Sequence, residues 1–202
     1  MRIERICTLL LLALWASKTY TSSRTTPHLE TTMAVSLTQP SIGSTGWGAA
    51  VNTNFAAIQA ALNNPTCRCG YSSSTSITNN TYAVAIAFDG TDAFDTDSMH
   101  DPSSDNSKIF INTTGIYLVG GMVSFALNGS GRRYLELFTN GSAVITNTQV
   151  DPDTDGNPTN IGISTIWSFS AGDWVQLRAY QNSGGNLATQ NANFWAVRVA
   201  VL

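Results

Sequence analysis

The sequence predicts an all-β jelly-roll sandwich preceded by one amphipathic α-helix. Three observations carry this reading. From Tyr71 onward, short segments alternate apolar and polar side chains with the period of two that a strand imposes. Pairs such as Asn140-Gly141 and Gly172-Asp173 punctuate those segments at the short intervals of sandwiches and jelly rolls. One stretch alone, residues 44–65, repeats its apolar residues every three or four positions instead.

The chain of 202 residues is long enough for one domain with a sizeable core and a smaller N-terminal segment. Only 11% of its residues are charged, so Ser, Thr, Asn and Gly supply most of the polar surface. Such surfaces suit turn-rich proteins of cell exteriors and virus particles. The net charge is −3 and no run of Lys or Arg occurs, which argues against a nucleic-acid partner. No apolar stretch reaches the roughly 20 residues that a membrane-spanning helix needs.

At the N-terminus, Arg2 and Arg5 precede an apolar run from Ile6 to Ala16, the pattern of a secretory signal with cleavage near Ala16 or Ser17. The alternative is a polypeptide that begins at Met33. Either way residues 1–32 stand apart from the folded body, and residues 33–69 form a helical stem or attachment segment. In "STGWGAAVNTNFAAIQAALNNP", Trp47, Val51, Phe55, Ile58 and Leu62 form one apolar stripe. Ser44 or Thr45 caps its start and Asn64-Pro65 ends it. A lone helix of about four turns is marginal in water and needs cover, from the β domain or from copies of itself in a short bundle.

Residues 70–202 make the β domain. Strands are expected at 81–88, on both sides of Thr114-Gly115 within 108–127, on both sides of Asn140-Gly141 within 132–150, on both sides of Gly172-Asp173 within 161–181, and at 193–202. The Asn-Gly pair tolerates positive φ and marks a hairpin.

Chemistry-bearing residues are few. Cys67 and Cys69 form "CRC" without a neighbouring Cys or His to complete a zinc site; free thiols or a cross-chain disulfide are the alternatives. His100 stands alone in "DSMHDPSSD", and Ser98 and Asp101 beside it do not make a catalytic triad, so no enzyme is expected. The carboxylates between Asp89 and Asp97 lie in what reads as a turn-rich loop. In "DPDTDGNPTN", Asp151, Asp153 and Asp155 followed by Gly156 reproduce the front half of a calcium loop, although Gly162 stands where the closing Glu belongs.

Residues from about 76 to 202 resemble the complement-C1q/tumour-necrosis-factor jelly-roll family. "GIYLVGGMVSF", "GDWVQLRAY" and "FWAVRVAVL" match its strands in order and spacing, without a preceding collagen-like repeat. "GSTGWGAAVNTNFAAIQAALN" is similar to segments of phage tail and fibre proteins. The first resemblance implies a homotrimer. In the final strand Trp195, Val197, Val199 and Val201 alternate with Phe194, Ala196, Ala200 and Leu202, so both faces need cover. The second set is expected to face the threefold axis, and Trp47, Val51, Phe55, Ile58 and Leu62 to pair between chains. On residues 171–187, Val175 and Leu177 take the core side, while Trp174 stacks with Arg178 on an outer face where Trp174 and Tyr180 can meet a sugar. The resulting expectation is a non-enzymatic trimeric virion component, such as a tail fibre or knob. It would contact other virion proteins and a cell-surface receptor or glycan; a secreted C1q-like binding protein is the alternative.

Overall fold

The computed structural model describes residues 46–62 and 64–202. The expected signal-like segment, the start at Met33 and the cap at Ser44 or Thr45 lie outside those residues. Helix α1 runs Trp47–Leu62, over the stretch whose apolar spacing predicts it. Eleven strands follow: β1 Thr66–Gly70, β2 Ser76–Ile77, β3 Val84–Ala85, β4 Gly90–Asp95, β5 Lys108–Phe110, β6 Gly115–Phe125, β7 Arg133–Thr139, β8 Ala143–Val150, β9 Thr159–Phe169, β10 Trp174–Gln181 and β11 Leu187–Ala200.

They form two antiparallel sheets. One has the order β4-β1-β11-β6-β9 with β2 beside β11; the other has the order β3-β10-β7-β8 with β5 beside β10. The β7–β8 hairpin turns at Asn140 and Gly141, both at positive φ (51° and 69°), as the sequence pair predicts. The strands flanking Thr114-Gly115 are not partners. β5 pairs with β10 and β6 with β9 and β11, so this connection crosses the sandwich. Three differences concern weakly patterned segments. Only Val84–Ala85 of 81–88 is a strand; residues 90–95 form β4 and not a loop; and β11 starts at Leu187, before the apolar run at 193. In each case a neighbouring strand, and not a local apolar repeat, sets the length of the element.

Period-two alternation builds the core. Tyr117, Val119 and Val123 of β6 face Leu135 and Leu137 of β7 and Val175 and Leu177 of β10, all fully buried. Each such aliphatic side chain contributes about 1.5–3 kcal/mol by leaving water. Gly120 and Gly121, in the middle of β6, serve opposite faces. A Cβ on Gly121 would lie 2.8 Å from Leu177 Cδ2 and 2.5 Å from the Asn193 carbonyl, and one on Gly120 would lie 2.6 Å from Trp195 Cζ2. Their missing side chains let the sheets close and let the Trp195 indole lie flat on the outer surface. Gly121→Ala should therefore destabilise the fold by about 1–3 kcal/mol, read by urea denaturation, because backbone and not a flexible tip must move.

Candidate functional site

The outer face of the β3-β10-β7-β8 sheet carries an ordered set of polar and aromatic side chains. Cross-strand register places Glu136 opposite Arg178 and Tyr134 opposite Tyr180. Glu136 is fully buried, and its Oε2 accepts hydrogen bonds from the Tyr82 and Tyr134 hydroxyls, each at 3.1 Å. Its Oε1 has no hydrogen bond and is compensated by Arg178 Nη1 at 3.7 Å. Arg178 lies over the Phe138 ring, 3.4 Å from its centroid, and its Nε donates to Gln176 Oε1. The expected Trp174–Arg178 stack is thus replaced by Phe138–Arg178. Phe138 stands one strand across, closer to the guanidinium, while Trp174 takes Lys108 Nζ 5.1 Å from its ring.

Beside the buried carboxylate, Tyr82, Arg132, Tyr134, Gln149 and Tyr180 line an open cavity of about 330 Å³. Tyr134 and Tyr180 meet edge to face, with centroids 6.5 Å apart. The Tyr180 hydroxyl donates to Asn80 Oδ1 at 2.8 Å, and Arg132 Nη1 donates to Gln149 Oε1 at 3.3 Å. Ring surfaces beside a guanidinium and an amide suit a ligand with apolar C–H faces and hydroxyl groups. Of the two expected ligand contacts, Tyr180 lines this cavity and Trp174 sits at the other end of the same face. Sequence reading missed Tyr82, Arg132, Tyr134, Glu136 and Gln149. The alternation of Tyr134 and Glu136 in β7 was a signal, but only the β7–β10 register shows what they meet.

The outer face of the other sheet carries an apolar patch, bordered by the exposed Arg68 and Ser164. Leu118 lies between Ile166 of β9 and Val197 of β11, with Ile116, Met122 and Trp195 on the same side. All are at least partly exposed, Ile166 by 62%. This corrects the face assignment in the final strand. Phe194 and Ala196 are covered by their own chain, at 0% and 1% exposure, and Phe194 packs on Phe88 with centroids 5.4 Å apart. They cannot line an axis between chains. Both alternating sets are apolar, so the strand alone does not distinguish its faces; the facing sheet selects Phe194. A register shift between Arg198 and Ala200 then places Ala200 opposite Ile116, on the outer side, and Leu202 beyond the strand is 70% exposed. In α1, Val51 is half-buried, whereas Phe55 (67%) and Ile58 are exposed; Trp47 and Leu62 occupy the terminal positions of the helix.

The acidic loop behaves as a turn. Asp153 Oδ1 accepts the Asp155 and Asn157 amides, and its own amide donates to Thr159 Oγ1. Among the described residues, the groups whose ligand atoms gather within 4.8 Å include none of Asp151, Asp153 and Asp155. Cys67 and Cys69 are free and buried in their own chain, which overturns a cross-chain disulfide. No helix among the described residues is long and apolar enough to cross a membrane.

No protein-family model matches the chain. An uncharacterized protein of Acanthamoeba polyphaga mimivirus is 33% identical over 87 residues, covering 41% of this chain and only 37% of that protein. Among solved structures, Eiger TNF from S. frugiperda superposes with a TM-score of 0.52 at 12% identity, over 69% of this chain and 95% of that one. The globular domain of zebrafish complement 1qA gives 0.50 at 11% identity, over 69% and 99%. Murine APRIL gives 0.50 at 11% identity, over 67% and 99%. The fold is a C1q/TNF-like jelly roll, as the strand motifs imply.

Two phenols here resist ionisation. Burial, then the Glu136 charge, pushes Tyr134 up, and burial pushes Tyr117 up to about 12. Both stay neutral in the folded chain while an unfolded tyrosine ionises near pH 10. Their contribution to stability is therefore complete below about pH 10 and is lost as pH rises above it. An ultraviolet titration should show late tyrosinate formation, with one component moved to lower pH in Glu136→Gln.

Proposed function

We propose that the chain is a non-enzymatic binding module that works as a homotrimer. The outer face of the β4-β1-β11-β6-β9 sheet makes the contact between chains, and the Tyr82–Tyr134–Tyr180 cavity receives a glycan of a cell-surface receptor. One observation carries the reading: Ile116, Leu118, Ile166, Trp195 and Val197 form a continuous apolar patch that the described residues leave at least partly exposed. Contiguous apolar patches of this kind mark association surfaces. Closed rotational symmetry covers the face without leaving an open end for further growth. The structural neighbours support the choice through fold alone. The further reading as a virion component that meets other virion proteins through α1 rests on the resemblance of residues 43–63 to tail and fibre segments and on the viral source of one partial relative. Mass spectrometry separates this reading from the secreted alternative: a virion component should be found in purified virus particles.

Light scattering on the purified chain should give the mass of three chains. Leu118→Glu with Val197→Glu should give the mass of one chain with the β-sheet circular dichroism retained. A monodisperse wild-type monomer would overturn the trimer. On a glycan array, Tyr180→Ala and Arg132→Ala should each weaken the strongest wild-type signal at least about fivefold, since stacking and charge-assisted contacts are worth about 1–3 kcal/mol. Equal signals from wild type and both variants would remove the cavity from recognition.

A further inference from the structure

At the β1–β4 edge the fold assembles donor atoms that the sequence keeps apart. Cys67 and Cys69 are two apart in β1 and so project to the same, buried side. Their Sγ atoms are 3.9 Å apart. That is nearly twice a disulfide bond, but it is close to the edge, about 3.8 Å, of a tetrahedron with metal–sulfur distances of about 2.3 Å. Asp92 joins two overlapping groups of donors there. The Cys69, Asp92 and His100 ligand atoms lie within 4.8 Å of one another, as do those of Cys67, Asp92 and Asp95. Local geometry favours this convergence. Arg68 pairs with Phe94 but Gly70 with Gly90, so β4 carries extra residues opposite Cys69 and turns Asp92 inward. Gly70 allows the close approach, since a Cβ there would lie 2.1 Å from the Thr91 carbonyl.

We propose that Cys67, Cys69, Asp92 and His100 form a buried binding site for zinc. The surroundings are those of a ligand set with its outer partners in place. His100 Nε2 lies 3.2 Å from the Asn106 carbonyl and donates to it, which leaves Nδ1 directed at Asp92, 2.8 Å from Oδ1 and 3.0 Å from Oδ2. Asp92 Oδ1 also accepts the Gly70 amide at 3.0 Å. Asp95 is engaged by backbone, accepting the His100 amide on Oδ2 and the Asp97 amide on Oδ1, so it holds the loop in place while the other four supply ligand atoms. A divalent cation would bind there by replacing the two thiol protons, because zinc-bound sulfur is thiolate. Two sulfurs, an imidazole and a carboxylate match zinc in number and softness, and the buried setting is that of a closed structural site.

Cobalt(II) is the probe. Titrated into the reduced, metal-free full chain, it should bind at one ion per chain and develop thiolate-to-metal charge-transfer bands with the intense visible bands of tetrahedral cobalt. Zinc should then bleach both. Cys69→Ser should remove about half of the charge-transfer intensity per bound ion, and His100→Gln should weaken binding at least about tenfold. Cys7→Ser and Asp153→Asn should leave the spectrum unchanged. The wild-type titration needs no variant to fold, and the absence of tetrahedral bands in it would overturn the proposal. Bands that are undiminished in Cys69→Ser but disappear in Cys7→Ser would overturn it equally.

Discussion

The architecture depends on β11 being an interior strand. It hydrogen-bonds to β6 along one edge and to β1 and β2 along the other, so the C-terminal segment joins most of its sheet together. An interior strand has no solvent-facing edge, and its two side-chain sets must each find an environment. The set containing Phe194 and Ala196 enters the space between the sheets. The set containing Trp195 and Val197 merges with Leu118 and Ile166 into an apolar outer surface. The Gly120-Gly121 pair admits both arrangements at one point, with Leu177 closing from inside and Trp195 lying flat outside. The apolar outer surface is in this sense a by-product of filling the core: Phe194 and Ala196 go inward, and Trp195 and Val197 remain out.

The opposite outer face follows a different rule. A fully buried carboxylate such as Glu136 is tolerated only with nearby donors or a counter-charge, and here two phenols and a guanidinium provide them. Meeting that requirement orients Tyr82 and Tyr134 and anchors Arg178 on Phe138. Tyr134, Gln149 and Tyr180 sit on paired strands, so that part of the cavity wall is held by the sheet, while Tyr82 and Arg132 come from the segments just before β3 and β7. The buried charge thus stabilises an arrangement that would otherwise be a set of independent surface side chains.

The third region is the edge of the first sheet. β4 is polar and irregular in register, and it is joined to the rest of the sheet only through β1. Such edges rely on side chains as well as ladder hydrogen bonds. Asp92, Asp95 and His100 form a continuous hydrogen-bonded group there, beneath which the two thiols lie. A cation held by that group would tie β1, β4 and the 96–107 loop together at one point.

Local pattern by itself determined the helix, the β domain, the Asn140-Gly141 hairpin and the inward direction of Val175 and Leu177, because periodicity and positive-φ turn residues act over a few neighbouring positions. It also showed that the last strand is apolar on both sides. Which side becomes the core was decided by the facing sheet, through Phe88 against Phe194, and no pattern within the strand encodes that choice. The same holds for the sites. Tyr180 was legible as an outward aromatic, but Glu136 and Tyr82 join it only through β7–β10 pairing and the course of the chain before β3. Cys69 and His100 are separated by 30 intervening residues in "CRC" and "DSMHD", and only the pairing of β1 with β4 brings them within reach. Contacts between residues distant in the chain depend on strand order and register, which are properties of the whole sandwich.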